Sequence, residues 1–213
     1  MNSLLTEVCG TSSGFEVMEE AISPGSTWKN LKIRGIFQRA DSKNFNGRIY
    51  PYDVLNRALA EAHECLVTRN MFGEMDHPPD GSPTVSLKNV SHLITNLNFS
   101  GKDLLGEAIV FDDPGPAGTP SGRLLGALIR NNCTVGISSR GLGSVSKGYS
   151  NGDVVSEFKM ITFDVVADPS TQKAYVQAVN EAKNYSRSIK DALAENREVE
   201  QFKEHIRTIL RNK

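Results

Sequence analysis

The chain has 213 residues, of which 38% are hydrophobic and 23% charged, and its formal net charge is −1. That length is enough to bury one full core, while the near-neutral charge offers no electrostatic footing for nucleic acid or an anionic membrane. No apolar run approaches bilayer-spanning length, the first residues lack the basic-then-apolar order of a secretory signal, and Cys9, Cys65 and Cys133 are too few and too scattered for a disulfide framework or a zinc knuckle, which fits a reducing compartment.

Residues 1–28 read as an irregular, flexible leader. Leu31 to Phe37 alternates in part and predicts a strand. Asn46-Gly47 marks a turn inside Asn44-Phe45-Asn46-Gly47-Arg48-Ile49-Tyr50-Pro51. A helix is expected from about Pro51 to Cys65, with Leu55, Leu59 and Ala62 on one face. Met71 to Pro83 is rich in proline, aspartate and glycine and reads as loop. Val90–Phe99 and Leu104–Phe111 predict a strand pair around Ser100-Gly101-Lys102-Asp103. A Pro/Gly loop, Asp112 to Gly122, leads to a short helix carrying Leu124, Leu125, Leu128 and Ile129. A brief strand, Thr134 to Ser138, follows it, with Cys133 expected as a buried, inert thiol. Val154 to Val166 predicts a long strand with Phe158, Met160 and Asp164 on one face. Asp168-Pro169-Ser170 has the signature of a helix start, and from Ile189 the chain is charged and helical with a thin apolar stripe. The result is an α+β domain built on a curved antiparallel sheet or barrel with flanking helices. The expected division is a leader (1–28), a catalytic domain (29–185) and a charged helical tail (186–213).

The chemistry concentrates in Gly136-Ile137-Ser138-Ser139-Arg140-Gly141-Leu142-Gly143. A serine hydroxyl attacks poorly until a base removes its proton, and beside glycines its commoner role is to bond its own turn. The G-x-S-x-G elbow of α/β-hydrolases is absent. Of the four histidines, His77 alone stands in a stiff loop, Gly73-Glu74-Met75-Asp76-His77-Pro78-Pro79, where a base can be held in place. A metal held by Glu74, Asp76, His77 and Asp80 competes with that reading, but no second histidine lies at helical spacing and H-E-x-x-H is missing. An acid behind the histidine would orient it. Asp164, after Phe158 and Met160 on one strand face, is the candidate, with Asp168 and Asp76 as rivals and a plain structural acid as the alternative role. Backbone N–H groups of Ser139, Arg140 and Gly141, or the Arg140 guanidinium, are placed to receive an oxyanion. On an extended strand Ser138 and Ser139 face opposite ways, so one of them at most meets His77.

Four segments in order resemble the prohead core proteases of tailed bacteriophages: N-x-N-G-R-I-Y-P at 44–51, G-E-M-D-H-P at 73–78, G-I-S-S-R-G-L-G at 136–143 and F-K-M-I-T-F-D-V-V-A-D-P-S at 158–170. The resemblance spans about Leu31 to Val176. It implies a serine endopeptidase of capsid maturation with Ser138 as nucleophile and His77 as base, and a fold like that of the herpesvirus assembly proteases. It implies cleavage of scaffold or core proteins and of the major capsid protein, inside the procapsid in the host cytoplasm, after glutamate in a Leu/Ile-x-Glu context. It also implies self-processing, for which Leu5-Thr6-Glu7 in the leader and Leu193-Ala194-Glu195 in the tail are the reachable matches, whereas Leu59-Ala60-Glu61 lies in a packed helix. No cofactor, metal, nucleic acid or membrane is required. The alternative is a structural core protein that keeps the fold without the activity.

Overall fold

The computed structural model describes the backbone of residues 3–9, 16–20, 28–44, 46–147 and 152–167, and the side chains of those from residue 28 onward. The expected tail helix, the helix start at Asp168 and Glu195 lie outside these residues. The described residues all fall within one compact unit, Met1–Ala178.

The fold is a sheet-dominated α+β arrangement. One sheet has the order β1(Ser3–Cys9), β8(Gly136–Ser146), β9(Asp153–Val166), β4(Arg48–Ile49). The other has the order β2(Glu16–Glu20), β3(Asn30–Arg39), β7(Asp103–Val110), β6(Val90–Ser100), β5(Phe72–Glu74). Pairing is antiparallel throughout except for β4, which runs parallel to β9. Two helices complete the described residues, α1(Tyr52–Val67) and α2(Pro120–Arg130).

The local chemistry accounts for these elements. Gly47 adopts φ 76° in the Asn-Gly turn, and the Asn44 side chain accepts from the Arg48 N–H at 2.9 Å to close it. Pro51 caps α1, whose Val54, Leu55, Ala58 and Ala62 are buried against the sheets. Thr119 caps α2 by accepting from the Gly122 N–H at 2.9 Å, and Pro120 fills the first turn. Gly101 turns the β6–β7 hairpin at φ 60°.

The two sheets meet through aromatic contacts. Phe37 of β3 packs edge-on to Phe163 of β9 at 5.2 Å between centroids, and Tyr50 packs edge-on to Phe158 at 5.1 Å. Such pairs add about 1 kcal/mol beyond the area they bury. At the other end of the core, the buried Asp112 accepts from the Leu31 N–H at 3.1 Å and from Arg130 at 2.6 Å, and Arg130 lies 4.9 Å from the Trp28 ring centroid.

Four expectations need correction. The leader, expected to be irregular, contains β1 and β2, whose pairing partners, not their own weak alternation, decide their state. The 71–83 segment contains the short strand β5, which pairs with β6 and so fixes where the following loop begins. The strand expected over Thr134 to Ser138 does not stop at Ser138. β8 continues to Ser146 because its glycines are packing sites in a ladder and not a flexible break. Cys133 is exposed in the turn after α2 instead of buried.

Gly106 shows how tightly the five-stranded sheet is packed. A Cβ there would lie 2.4 Å from the Phe37 ring. Gly106→Ala should therefore cost about 1–3 kcal/mol, read as a lower denaturation midpoint at unchanged m-value.

Candidate active site

The register of β8 against β9 sets Ser138 directly opposite Asp164. Directly paired residues on neighbouring strands share a sheet face, so hydroxyl and carboxylate lie side by side. The residues after β5 then bring the histidine over them. Met75 forms a parallel bridge with Val165, and the Asp76 N–H donates to the Val165 carbonyl at 2.7 Å. Asp76 takes a left-handed φ of 60°, which turns the chain so that His77 faces the pair.

The three side chains form one line of hydrogen bonds. His77 Nδ1 lies 2.7 Å from Asp164 Oδ2, and His77 Nε2 lies 2.5 Å from Ser138 Oγ. The carboxylate accepts the Nδ1 proton, so Nε2 is left with a lone pair for the serine O–H. Ser138 and Asp164 are fully buried, whereas the His77 side chain is 24% exposed. Ser139 is on the opposite face, and its hydroxyl has no partner among the described residues.

Behind the line, a buried arginine and a second acid support Asp164, a grouping that sequence reasoning did not assemble. Arg140, fully buried, donates through Nη2 to Asp164 Oδ1 at 3.0 Å and to Glu74 Oε1 at 2.9 Å. Its Nε lies 2.9 Å from Asp164 Oδ2 as a charge contact without hydrogen-bond alignment. Its Nη1 donates to the carbonyls of Ser82 and Thr84, each at 3.3 Å. The Glu74 N–H donates to Asp164 Oδ1 at 3.0 Å, and Glu74 Oε1 accepts from the Ser86 N–H at 2.8 Å. Arg140 and Glu74 thus pin the far side of the loop that carries His77. The Arg140 guanidinium, expected near an oxyanion, is instead turned toward the two acids. The backbone at Arg140 and Gly141 has an irregular register against β9, which interrupts the ladder two residues after Ser138.

The acids weighed as metal ligands go elsewhere. Glu74 serves Arg140, Asp80 caps its own turn by accepting from the Ser82 N–H at 3.0 Å, and no metal-holding group of three or more such side chains occurs among the described residues.

His92 was not singled out by sequence reasoning, yet it shapes the site. It faces Gly73 across β5 and β6, and a Cβ at Gly73 would come within 2.1 Å of its ring and 2.3 Å of the Phe163 carbonyl. Its Nε2–H donates to the Phe163 carbonyl at 3.0 Å, leaving Nδ1 to accept from Ser91 Oγ at 2.9 Å. Burial lowers its pKa from 6.5 to about 4, against the upward pull of the Asp164 charge and the Phe163 carbonyl. The signal for His92 was a titratable residue inside a predicted apolar strand, which must find a partner there.

Comparisons with known proteins identify what the chain as a whole is similar to. A family model described as prohead core protein serine protease matches residues 9–184. The chain is 35% identical over 150 residues to the prohead core protein protease of Enterobacteria phage T4, covering 68% of this chain and 68% of that protein. Its structure is similar to the bacteriophage T4 capsid assembly protease at a TM-score of 0.69 and 31% identity, over 79% of this chain and 99% of that one.

Arg140→Met would leave Glu74 and Asp164 as uncompensated buried charges, a loss of about 3–5 kcal/mol measurable by denaturant unfolding. His92 makes stability depend on pH. The unfolded chain accepts the histidine proton near pH 6.5 and the folded chain only near 4. The contribution is therefore complete above pH 6.5 and is lost as pH falls towards 4, by at most about 3 kcal/mol. An NMR titration should find the His92 ring still neutral at pH 5; a midpoint near 6.5 would contradict the burial argument.

Proposed function

The chain belongs to the family of prohead core protein serine proteases and is a serine peptidase of capsid maturation; within it, we propose that Ser138 is the nucleophile, His77 the general base and acid, and Asp164 the group that orients His77. The observation that carries this reading is the unbroken line from Ser138 Oγ through the His77 ring to Asp164, at 2.5 and 2.7 Å.

Asp164 holds the Nδ1 proton, so Nε2 takes the Ser138 proton as Oγ attacks the scissile carbonyl carbon. The charged imidazolium forms beside a buried carboxylate, which stabilises it. The carbonyl oxygen becomes an oxyanion, and backbone N–H groups among Ser139, Arg140 and Gly141 receive it. Collapse breaks the C–N bond, the leaving amine takes the proton back from His77, and water then releases the acyl group by the reverse sequence. The Arg140 guanidinium acts through Asp164 as a positioning group. The mechanism uses no metal or organic cofactor.

The substrates follow from the family: scaffold or core proteins and the major capsid protein, cut after glutamate in a Leu/Ile-x-Glu context, inside the procapsid in the host cytoplasm. Self-cleavage after Glu7 and after Glu195 belongs to the same reading, as does a fold of the herpesvirus assembly-protease kind, which the two-sheet arrangement supports. Neither nucleic acid nor membrane takes part; among the described residues no helix is long and apolar enough to cross a bilayer.

With a peptide containing Leu-Thr-Glu-Val as substrate, Ser138→Ala and His77→Ala should abolish turnover, and Asp164→Asn should lower kcat on the order of 10³-fold or more. EDTA should leave the rate unchanged. Full activity in Ser138→Ala would sink the assignment.

A further inference from the structure

Apart from β8, β9 has few strand partners among the described residues. β4 pairs with it only at Asp153 and Val154, and Met75 adds a single bridge at Val165. The stretch that carries Asp164 is tied to β5, β6 and the turn after β5 by three hydrogen bonds. Thr162 Oγ1 donates to the Phe72 carbonyl at 2.6 Å, His92 Nε2–H donates to the Phe163 carbonyl at 3.0 Å, and the Asp76 N–H donates to the Val165 carbonyl at 2.7 Å. These bonds fall on Thr162, Phe163 and Val165, so they flank Asp164 on both sides.

The bond from His92 differs from the other two. Its ring reaches Phe163 from β6, across β5, through the space that Gly73 leaves. A Cβ at Gly73 would lie 2.1 Å from His92 Nε2 and 2.3 Å from the Phe163 oxygen. Thr162 Oγ1 is 3.5 Å from the same carbonyl, but it gives its one proton to Phe72 at the shorter distance. His92 is thus the donor in position for Phe163. Ser91, fully buried like His92, sets the tautomer: its hydroxyl donates to Nδ1 at 2.9 Å, so the ring proton sits on Nε2. The Gly73 carbonyl, 3.5 Å from that hydroxyl, is the poorer acceptor.

We propose that His92 is a positioning residue for the peptidase reaction: its Nε2–H holds the Phe163 carbonyl and so aims Asp164 at His77, with Ser91 fixing the tautomer this requires. The proposal rests on the assignment of Ser138, His77 and Asp164 above. His92 acts through one peptide group. The Phe163 carbonyl and the Asp164 nitrogen belong to the same rigid plane, so a tilt of that plane swings the Asp164 side chain and moves Oδ2 from His77 Nδ1. Glu74 and Arg140 hold the carboxylate end of Asp164, and His92 holds its backbone end. Misplacement of a catalytic group by about 1 Å is enough to lower a rate on the order of 10²-fold.

Labelling of Ser138 in the full chain by a fluorophosphonate, followed by intact-mass spectrometry, reads the activation of the hydroxyl independently of peptide sequence. Saturation in the probe separates its binding constant from the maximal labelling rate. His92→Asn puts an amide near the Nδ1 position and nothing at Nε2, whereas His92→Gln carries an N–H near the Nε2 position. The maximal rate of His92→Asn should fall on the order of tenfold or more at an unchanged binding constant, and His92→Gln should recover most of that loss. A wild-type maximal rate in folded His92→Asn, a loss carried by the binding constant alone, or equal losses in both variants overturns the positioning role. A second measurement needs no change at residue 92. Imidazole nitrogen NMR of the Ser138→Ala chain near neutral pH should find His92 protonated at Nε2 and bare at Nδ1; the opposite tautomer overturns the proposal even where neither variant folds. A wild-type chain labelled no faster than Ser138→Ala overturns the Ser138 assignment, and this proposal with it.

Discussion

Everything at the active site depends on one buried guanidinium held between two carboxylates. Arg140 has no exposure, and neither has Asp164; Glu74 has 1%. Moving either acid alone into such a place would cost several kcal/mol or drive it neutral. Arg140 lies between them as the opposite charge and hydrogen-bonds both. The same contacts join parts of the chain distant in sequence: Glu74 ends β5 of one sheet, and Arg140 and Asp164 belong to the central strands of the other. Ser138, His77 and Asp164 are therefore held in place by an interaction centred on a side chain whose hydrogen bonds go to Glu74, Asp164 and the loop carbonyls.

The surrounding hydrogen bonds extend this seam along β9. Asp164 Oδ1 receives Glu74 N–H and Arg140 Nη2, while Oδ2 faces His77 Nδ1. Thr162 donates to the Phe72 carbonyl at 2.6 Å, and His92 donates to that of Phe163. Each bond ties β9 to the β5–β6 pair, so the two sheets are stitched along the line on which the catalytic groups sit. Gly73 is part of the same seam, because the His92 ring occupies the space that any side chain there would need.

Much of this was readable before the structure. The β6–β7 hairpin, both helices and the long β9 followed from periodicity and turn residues, within a few residues at their ends. Ser138, His77 and Asp164 were singled out because hydroxyl, imidazole and acid have complementary chemistry, and the strand alternation that separated Ser138 from Ser139 is the alternation observed across β8. What escaped was set by partners far along the chain. β5 is three residues long and exists because β6 offers it a ladder. β1 and β2 have little pattern of their own and take their state from β8 and β3. Arg140 was read from the sequence as a donor to an oxyanion; only the closing of β5 over β9 makes it the fully buried partner of two acids. Cys133 went the other way, since the turn after α2 leaves it in solvent.

The pairing of Ser138 with Asp164 across neighbouring strands also bears on when the enzyme can exist during its synthesis. His77 lies 61 positions before Ser138 and 87 before Asp164. β9 is the last strand of the described residues, and it supplies Asp164, the partner of Arg140 and His77, and the bridge that turns the His77 loop. A chain still emerging from the ribosome carries His77 and Ser138 for a time with nothing to align them. Hydrolytic power arrives only with the final strand, so a polypeptide that destroys peptide bonds cannot use that chemistry on its own half-made body.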